Sequence, residues 1–178
     1  MNFGVGGQQA KRLGTQLESA LLELLRKAGF HILLNYGAGE AETRIVGRLV
    51  AASSGSAAHL TKAQDWKDGA GIRRVRRKEL ITIRGTFRAF AGRVQIANVF
   101  IGYDSAPAQV AAAMCVPVIE VSAGAPNEVY RKRRTSYGVG SVCVIPAEGP
   151  EDAGRVLARI DRELVEIKAE WNRVRQPL

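Results

Sequence analysis

Histidine and cysteine are scarce in this 178-residue sequence, with two of each. So few soft ligands cannot build a zinc cluster, and no Ser/His/Asp triad is recognisable by spacing. The cysteines, Cys115 and Cys143, lie in apolar surroundings, so reduced and buried core thiols in a cytosolic protein are expected rather than a disulfide. No apolar run approaches the ~20 residues needed to span a bilayer. The first residues show no charged region leading into a long apolar stretch, so no secretory signal is expected. Gly-Lys-Ser/Thr does not occur, which excludes a Walker loop. There is no internal repeat and no low-complexity tail. Acidic residues are in the minority, 17 against 26 Lys and Arg.

That imbalance leaves a formal net charge of +9, which favours anionic partners: nucleotide phosphates, nucleic acid or an acidic membrane surface. Hydrophobic content of 46% and charged content of 24% are those of an ordinary globular protein, and the length suffices for one domain with a full core.

The most legible stretch is 98–121, NVFIGYDSAPAQVAAAMCVPVIEV. An apolar strand over 98–102 runs into the polar pair Asp104-Ser105. Pro107 suits the first turn of a helix, and small residues continue that helix over 108–114. A second apolar strand follows over 116–121. Strand, turn, helix, strand predicts one βαβ unit of a parallel sheet, with Asp104 and Ser105 at the carboxyl end of its first strand. Ligands of open α/β sheets bind at that edge.

Two other stretches repeat the pattern of a glycine-rich turn opening a helix. In MNFGVGGQQAKRL, Gly4, Gly6 and Gly7 precede a helix expected near Gln8 or Gln9, with Lys11 one turn in. Backbone amides of such a loop and the helix N-terminus suit a phosphate. At 37–42, GAGEAE, Gly39, Glu40 and Glu42 open a helix over 42–52. Acidic residues there stabilise the helix dipole. Further strands are expected at 31–36, 80–84 and 142–145, with a stub at 1–3. Helices are expected at 17–28, with Glu18 on its outer face, at 87–97 and at 150–171. Residues 53–79 begin as a flexible connection and carry the basic cluster Arg73, Arg74, Arg76, Arg77 and Lys78. That cluster lacks the interleaved aromatics of a single-strand binder, so a solvated surface is expected. Residues 124–140 read as a polar loop carrying Arg131, Lys132, Arg133 and Arg134; it follows a strand end and so can reach the ligand cleft, with solvated charge as the default.

Taken in order, these motifs resemble family 9 glycosyltransferases, the heptosyltransferase-like group. "IGYDSAPAQVAAAMCVPVIEV" is similar to their donor-binding signature of strand, Asp-Ser/Thr-Gly, two residues, His, Ala-rich helix, Pro and strand. Asp104 and Ser105 match; Ala106 replaces the usual Gly, and Gln109 stands where the His usually is. Asn2, Gly4 and Lys11-Arg12 look like a first signature whose Lys faces the donor diphosphate. A strand ending in Gly-Gly and an acidic residue places a carboxylate near the donor nucleoside. A carboxylate can accept from both ribose hydroxyls, and the sequence does not choose between Glu40 and Glu42.

The resemblance implies an α/β fold: a three-layer Rossmann-like parallel sheet, the C-terminal half of a GT-B fold, with 1–178 one nucleotide-sugar-binding domain. The N-terminal acceptor domain, with its catalytic base, is expected to be absent, so the chain is expected to be inactive alone. The implied donor is a nucleotide-diphosphate sugar, ADP-heptose-like, with no metal or other cofactor. It would be bound by Gly4, Gly6, Lys11, Gly39, Glu40, Glu42, Asp104, Ser105, Ala106 and Gln109. The implied role is lipopolysaccharide or cell-surface glycan synthesis, in the cytoplasm or peripheral to the inner membrane, beside a separate acceptor-binding half. The alternative is a non-enzymatic basic α/β module for nucleic acid or an acidic membrane surface. Steep, log-linear salt dependence would mark nucleic-acid binding.

Overall fold

Asn2 stands at the middle of a parallel β-sheet and joins its two halves. It bridges Asn35 on one side and Gly102 on the other, both in parallel sense. The Asn2 amide donates to Ile101 O at 3.2 Å, and Asn35 N donates to Met1 O at 3.1 Å. The backbone of Asn2 passes so close to Gly102 that a Cβ there would lie 2.6 Å from Asn2 O. The computed structural model describes residues 1–5, 8–37, 39–53, 57–60, 80–125, 127–138 and 140–174.

The strands are β1 (Ile32–Asn35), β2 (Ala57–Leu60), β3 (Leu80–Ile83), β4 (Phe100–Tyr103), β5 (Val118–Ala123) and β6 (Val142–Ala147). Hydrogen bonding orders one half as β1-β3-β2 and the other as β4-β5-β6, every pairing parallel. With Asn2 between β1 and β4, the sheet reads β2-β3-β1-Asn2-β4-β5-β6. β3 and β4 are buried along their whole length, as strands covered on both faces should be.

The helices are α1 (Thr15–Lys27), α2 (Glu40–Ala52), α3 (Phe87–Val94), α4 (Ala106–Ala113), α5 (Glu128–Arg134) and α6 (Ala153–Val174). One core gathers Leu17, Leu21 and Leu25 of α1, Ile45 and Leu49 of α2 and Val156, Ile160 and Leu164 of α6 against Leu34, Ile101 and Ile119. A second core, on the other face, holds Phe90 and Val94 of α3 and Ala108, Ala111 and Ala112 of α4 against Phe100 and Val118. The small side chains of α4 let its backbone lie close to the sheet. Helix, sheet, helix is the three-layer α/β architecture expected from the sequence. β4 and β5 run parallel around α4, as the central βαβ unit requires.

Several local expectations are corrected. The connection after residue 53 contains β2, which pairs with β3; the rest of 54–79, including the Arg73 to Lys78 cluster, lies outside the described residues. The helix expected near Gln8 is only a 3-10 turn, Gln9–Lys11, and the α-helix starts at Thr15 after Gly14, whose φ is +98°. The polar loop at 124–140 contains α5, capped by Asn127, whose side chain accepts from Tyr130 N at 2.8 Å. Glu18, expected on the outer face of α1, is fully buried. Arg12 forks onto its carboxylate, and Tyr103 OH donates to it at 3.2 Å. Cys115 is exposed and Cys143 half-buried, so neither is the buried core thiol expected; both are unbridged. Among the described residues no helix is long and apolar enough to cross a membrane.

Candidate functional site

A cleft of about 620 Å³ opens at the carboxyl edge of the sheet. That is within the usual size range of small-ligand sites. Its walls come from segments that leave strand ends: Asn2 and Gly4, Asn35 and Gly37, Gly39 to Glu42, Gly85 to Phe87, and Asp104 to Pro107. Gln8, Lys11 and Arg134 also line it.

Lys11 and Asp104, 93 residues apart, meet here. Lys11 Nζ donates to Asp104 Oδ2 at 3.1 Å and to Asp104 O at 3.2 Å. Lys11 is 4% exposed and Asp104 6%. The turn carrying Lys11 packs on the end of β5, where Gly124, at φ +63°, leaves room for Ala10 O. A second cation reaches the same carboxylate oxygen: Arg134 Nε lies 3.2 Å from Asp104 Oδ2. One carboxylate therefore faces two cations at this end of the cleft.

The α4 N-terminus opens beside them. Ser105 is its N-cap residue, but no side chain caps the first turn, because Ser105 Oγ donates back to Tyr103 O at 2.9 Å. The positive dipole end favours an anion, with the Ala106 amide to offer, since Pro107 has no N–H and Ala108 N donates to Ser105 O. The α2 N-terminus opens into the cleft from the other side of the Asn2 strand. Glu42 Oε2 accepts from Gly39 N at 3.3 Å, and the carboxylate lies against Gly4 and Gly37. Gly37 has φ +77°, so a side chain there would be strained as well as crowded by Glu42. Glu40 is exposed on the same rim. By strand spacing, the Asp104 and Glu42 segments stand about 10 Å apart. The cleft is cationic near β4 and acidic near β1.

Of the residues singled out in the sequence, Gly4, Lys11, Gly39, Glu40, Glu42, Asp104, Ser105 and Ala106 line this one cleft. Gly6 lies outside the described residues. Gln109 does not line the cleft; it turns away, and its amide donates to Arg134 O at 2.8 Å. Arg134 belongs to the loop that the sequence placed after a strand end, within reach of the cleft, with solvated charge as the default; it lines the cleft. Two others of that basic run pair outside the cleft, Arg131 with Glu148 and Lys132 with Glu128. Sequence reasoning missed Phe87, which is 54% exposed on the rim and 5.9 Å from the Phe90 ring.

Behind the site, Glu120 of β5 is 1% exposed. Its Oε2 accepts from Ser136 N at 3.3 Å and from the Ser136 hydroxyl. Burial pushes its carboxyl above the ordinary 4.5, and the nearby Asp104 charge pushes the same way; Ser136 and Lys11 oppose the shift. Burial likewise raises Glu18, against the opposing pull of Arg12 and Tyr103. Among the described residues no group of three or more His, Cys, Asp or Glu side chains is placed to hold a metal ion.

No protein-family model and no curated protein matches the chain. Two solved structures do. The E. coli heptosyltransferase WaaC with ADP aligns with 93% of this chain at a TM-score of 0.60 and 17% identity. A glycosyl transferase of family 9 from Veillonella parvula aligns with 95% at 0.49 and 11% identity. The chain spans 42% of the first structure and 44% of the second. At this identity the heptosyltransferase likeness carries the fold, over somewhat less than half of that protein.

Proposed function

We propose that the cleft binds the diphosphate of a nucleotide sugar and that the chain is the donor-binding part of a glycosyltransferase. The observation that carries this reading is the convergence of Lys11, Arg134 and the uncapped α4 N-terminus on one carboxyl-edge cleft. Two cations and a helix dipole gathered in one cleft suit a polyphosphate. The acidic end adds the other half of a nucleotide's chemistry, since Glu40 or Glu42 can accept from ribose hydroxyls. Phe87 offers an exposed ring face near a base. The fold shared with a heptosyltransferase solved with ADP supports an adenosine diphosphate carrier.

On this reading an acceptor-binding part closes the cleft and supplies the catalytic base. The acceptor is a cell-envelope glycan such as lipopolysaccharide. The protein works in the cytoplasm, where nucleotide sugars are held, or at the inner face of the membrane. These 178 residues alone bind the donor without transferring it, because an open cleft leaves water at the phosphates and weakens each electrostatic contact. A calorimetric comparison of ADP, UDP and GDP tests the reading: one diphosphate is expected to bind best, and none binding would end it.

A further inference from the structure

Arg134 closes α5, and residues of three other elements and of its own helix hold it in place. Gln109 of α4 fixes its carbonyl at 2.8 Å. Two residues on, buried Ser136 is tied by backbone and hydroxyl to buried Glu120 of β5. The Arg134 guanidinium donates to Tyr130 OH at 2.7 Å and lies over that ring at 5.3 Å. It also donates to Gln8 Oε1 at 3.4 Å, next to the Lys11 turn. A solvated lysine or arginine needs none of this support. The two cations on Asp104 differ in access: the Lys11 side chain is 5% exposed and that of Arg134 is 31%. Lys11 sits at the floor of the cleft and Arg134 at its mouth.

Resting on the diphosphate reading above, we infer that Arg134 determines specificity for the second phosphate of the ligand. Lys11 and the α4 N-terminus take one phosphate at the floor; the Arg134 fork takes the next. A planar guanidinium can serve two phosphate oxygens at once, which a point charge cannot. Asp104 Oδ2 holds the fork at the cleft until a phosphate oxygen competes for it. Gln109 and Glu120 are positioning residues: they set the backbone from which Arg134 reaches in and touch no ligand themselves.

The test is the ratio of ADP to AMP affinity, measured calorimetrically on wild type and Arg134→Gln. Loss of one charge-assisted fork is expected to weaken ADP by about tenfold to a hundredfold and to leave AMP nearly unchanged, so the preference for diphosphate collapses. A purely structural role would weaken both nucleotides together, and an unchanged ADP/AMP ratio overturns the inference while leaving nucleotide binding intact. If wild type binds neither nucleotide, the donor reading falls and this one with it. A second measurement needs no variant. Phenylglyoxal modification of Arg134, mapped by mass spectrometry, is expected to slow when inorganic pyrophosphate is present. Equal modification with and without saturating pyrophosphate overturns the assignment.

Discussion

Gln109 and Arg134 lie 25 residues apart in sequence, and the side-chain amide of the first donates to the backbone carbonyl of the second at 2.8 Å. The position that the sequence suggested as a direct ligand contact instead holds the wall that carries the cation. Gln109→Ala removes a neutral hydrogen bond and loosens that wall. ADP affinity is expected to fall by about twofold to tenfold, with AMP affected less. Titration of both nucleotides into the variant checks this; a larger loss for AMP than for ADP would place Gln109 in contact with the first phosphate.

Lys11 and Asp104 should respond unequally to truncation. Asp104→Ala leaves the buried Lys11 ammonium without its carboxylate, and breaking such a pair costs about 3–5 kcal/mol. Lys11→Met leaves Asp104 still paired with Arg134, so the loss should be smaller. Urea unfolding of the two variants separates these cases, and equal losses would argue against the shared carboxylate.

Glu120 predicts a pH dependence. Its folded pKa is raised above the unfolded 4.5, so the folded state binds more protons between the two values. Its contribution to stability is then full below about pH 4.5 and is lost as pH rises through the folded value. Glu120→Gln keeps an acceptor for Ser136 and cannot ionise. The melting temperature of this variant relative to wild type should rise from pH 4 toward neutrality and then level off. A difference that is flat with pH would mean that the carboxyl titrates alike in the folded and unfolded protein, against a raised folded value.

Gly102→Ala should be costly for a reason confined to the backbone. The new methyl would meet Asn2 O at 2.6 Å, where the two halves of the sheet join. Overpacking against main chain is expected to cost about 1–3 kcal/mol, read by thermal or urea unfolding. Wild-type stability would show that the junction is looser than described.

The parts of the fold legible in the sequence were those written in local pattern. β4, α4 and β5 announce themselves by apolar strands around an alanine-rich helix with Pro107 near its start. β2 does not: Ala57–Leu60 lacks β-branched residues and follows a Ser/Gly stretch, and its place is set by pairing with β3. α5 was hidden by its charge, although Asn127 followed by seven residues free of Gly and Pro is a start signal. Glu18 looks solvent-facing because helical spacing cannot show Arg12 and Tyr103 arriving to satisfy it. In the site, residues next to glycine turns were found because strand-to-helix turns mark the carboxyl edge. Arg134 was not singled out among the charges of its loop, because its role depends on Asp104, Gln109 and Gln8, none of them near it in sequence.

The central claim is that this cleft recognises a nucleotide through its diphosphate. Calorimetric titration of ADP into the wild-type chain and into folded Lys11→Met addresses it most directly. Saturable one-to-one binding by wild type is expected, competed by inorganic pyrophosphate and weakened about tenfold or more when Lys11 loses its charge. No saturable binding by wild type, or ADP binding indifferent both to pyrophosphate and to Lys11→Met, would contradict it.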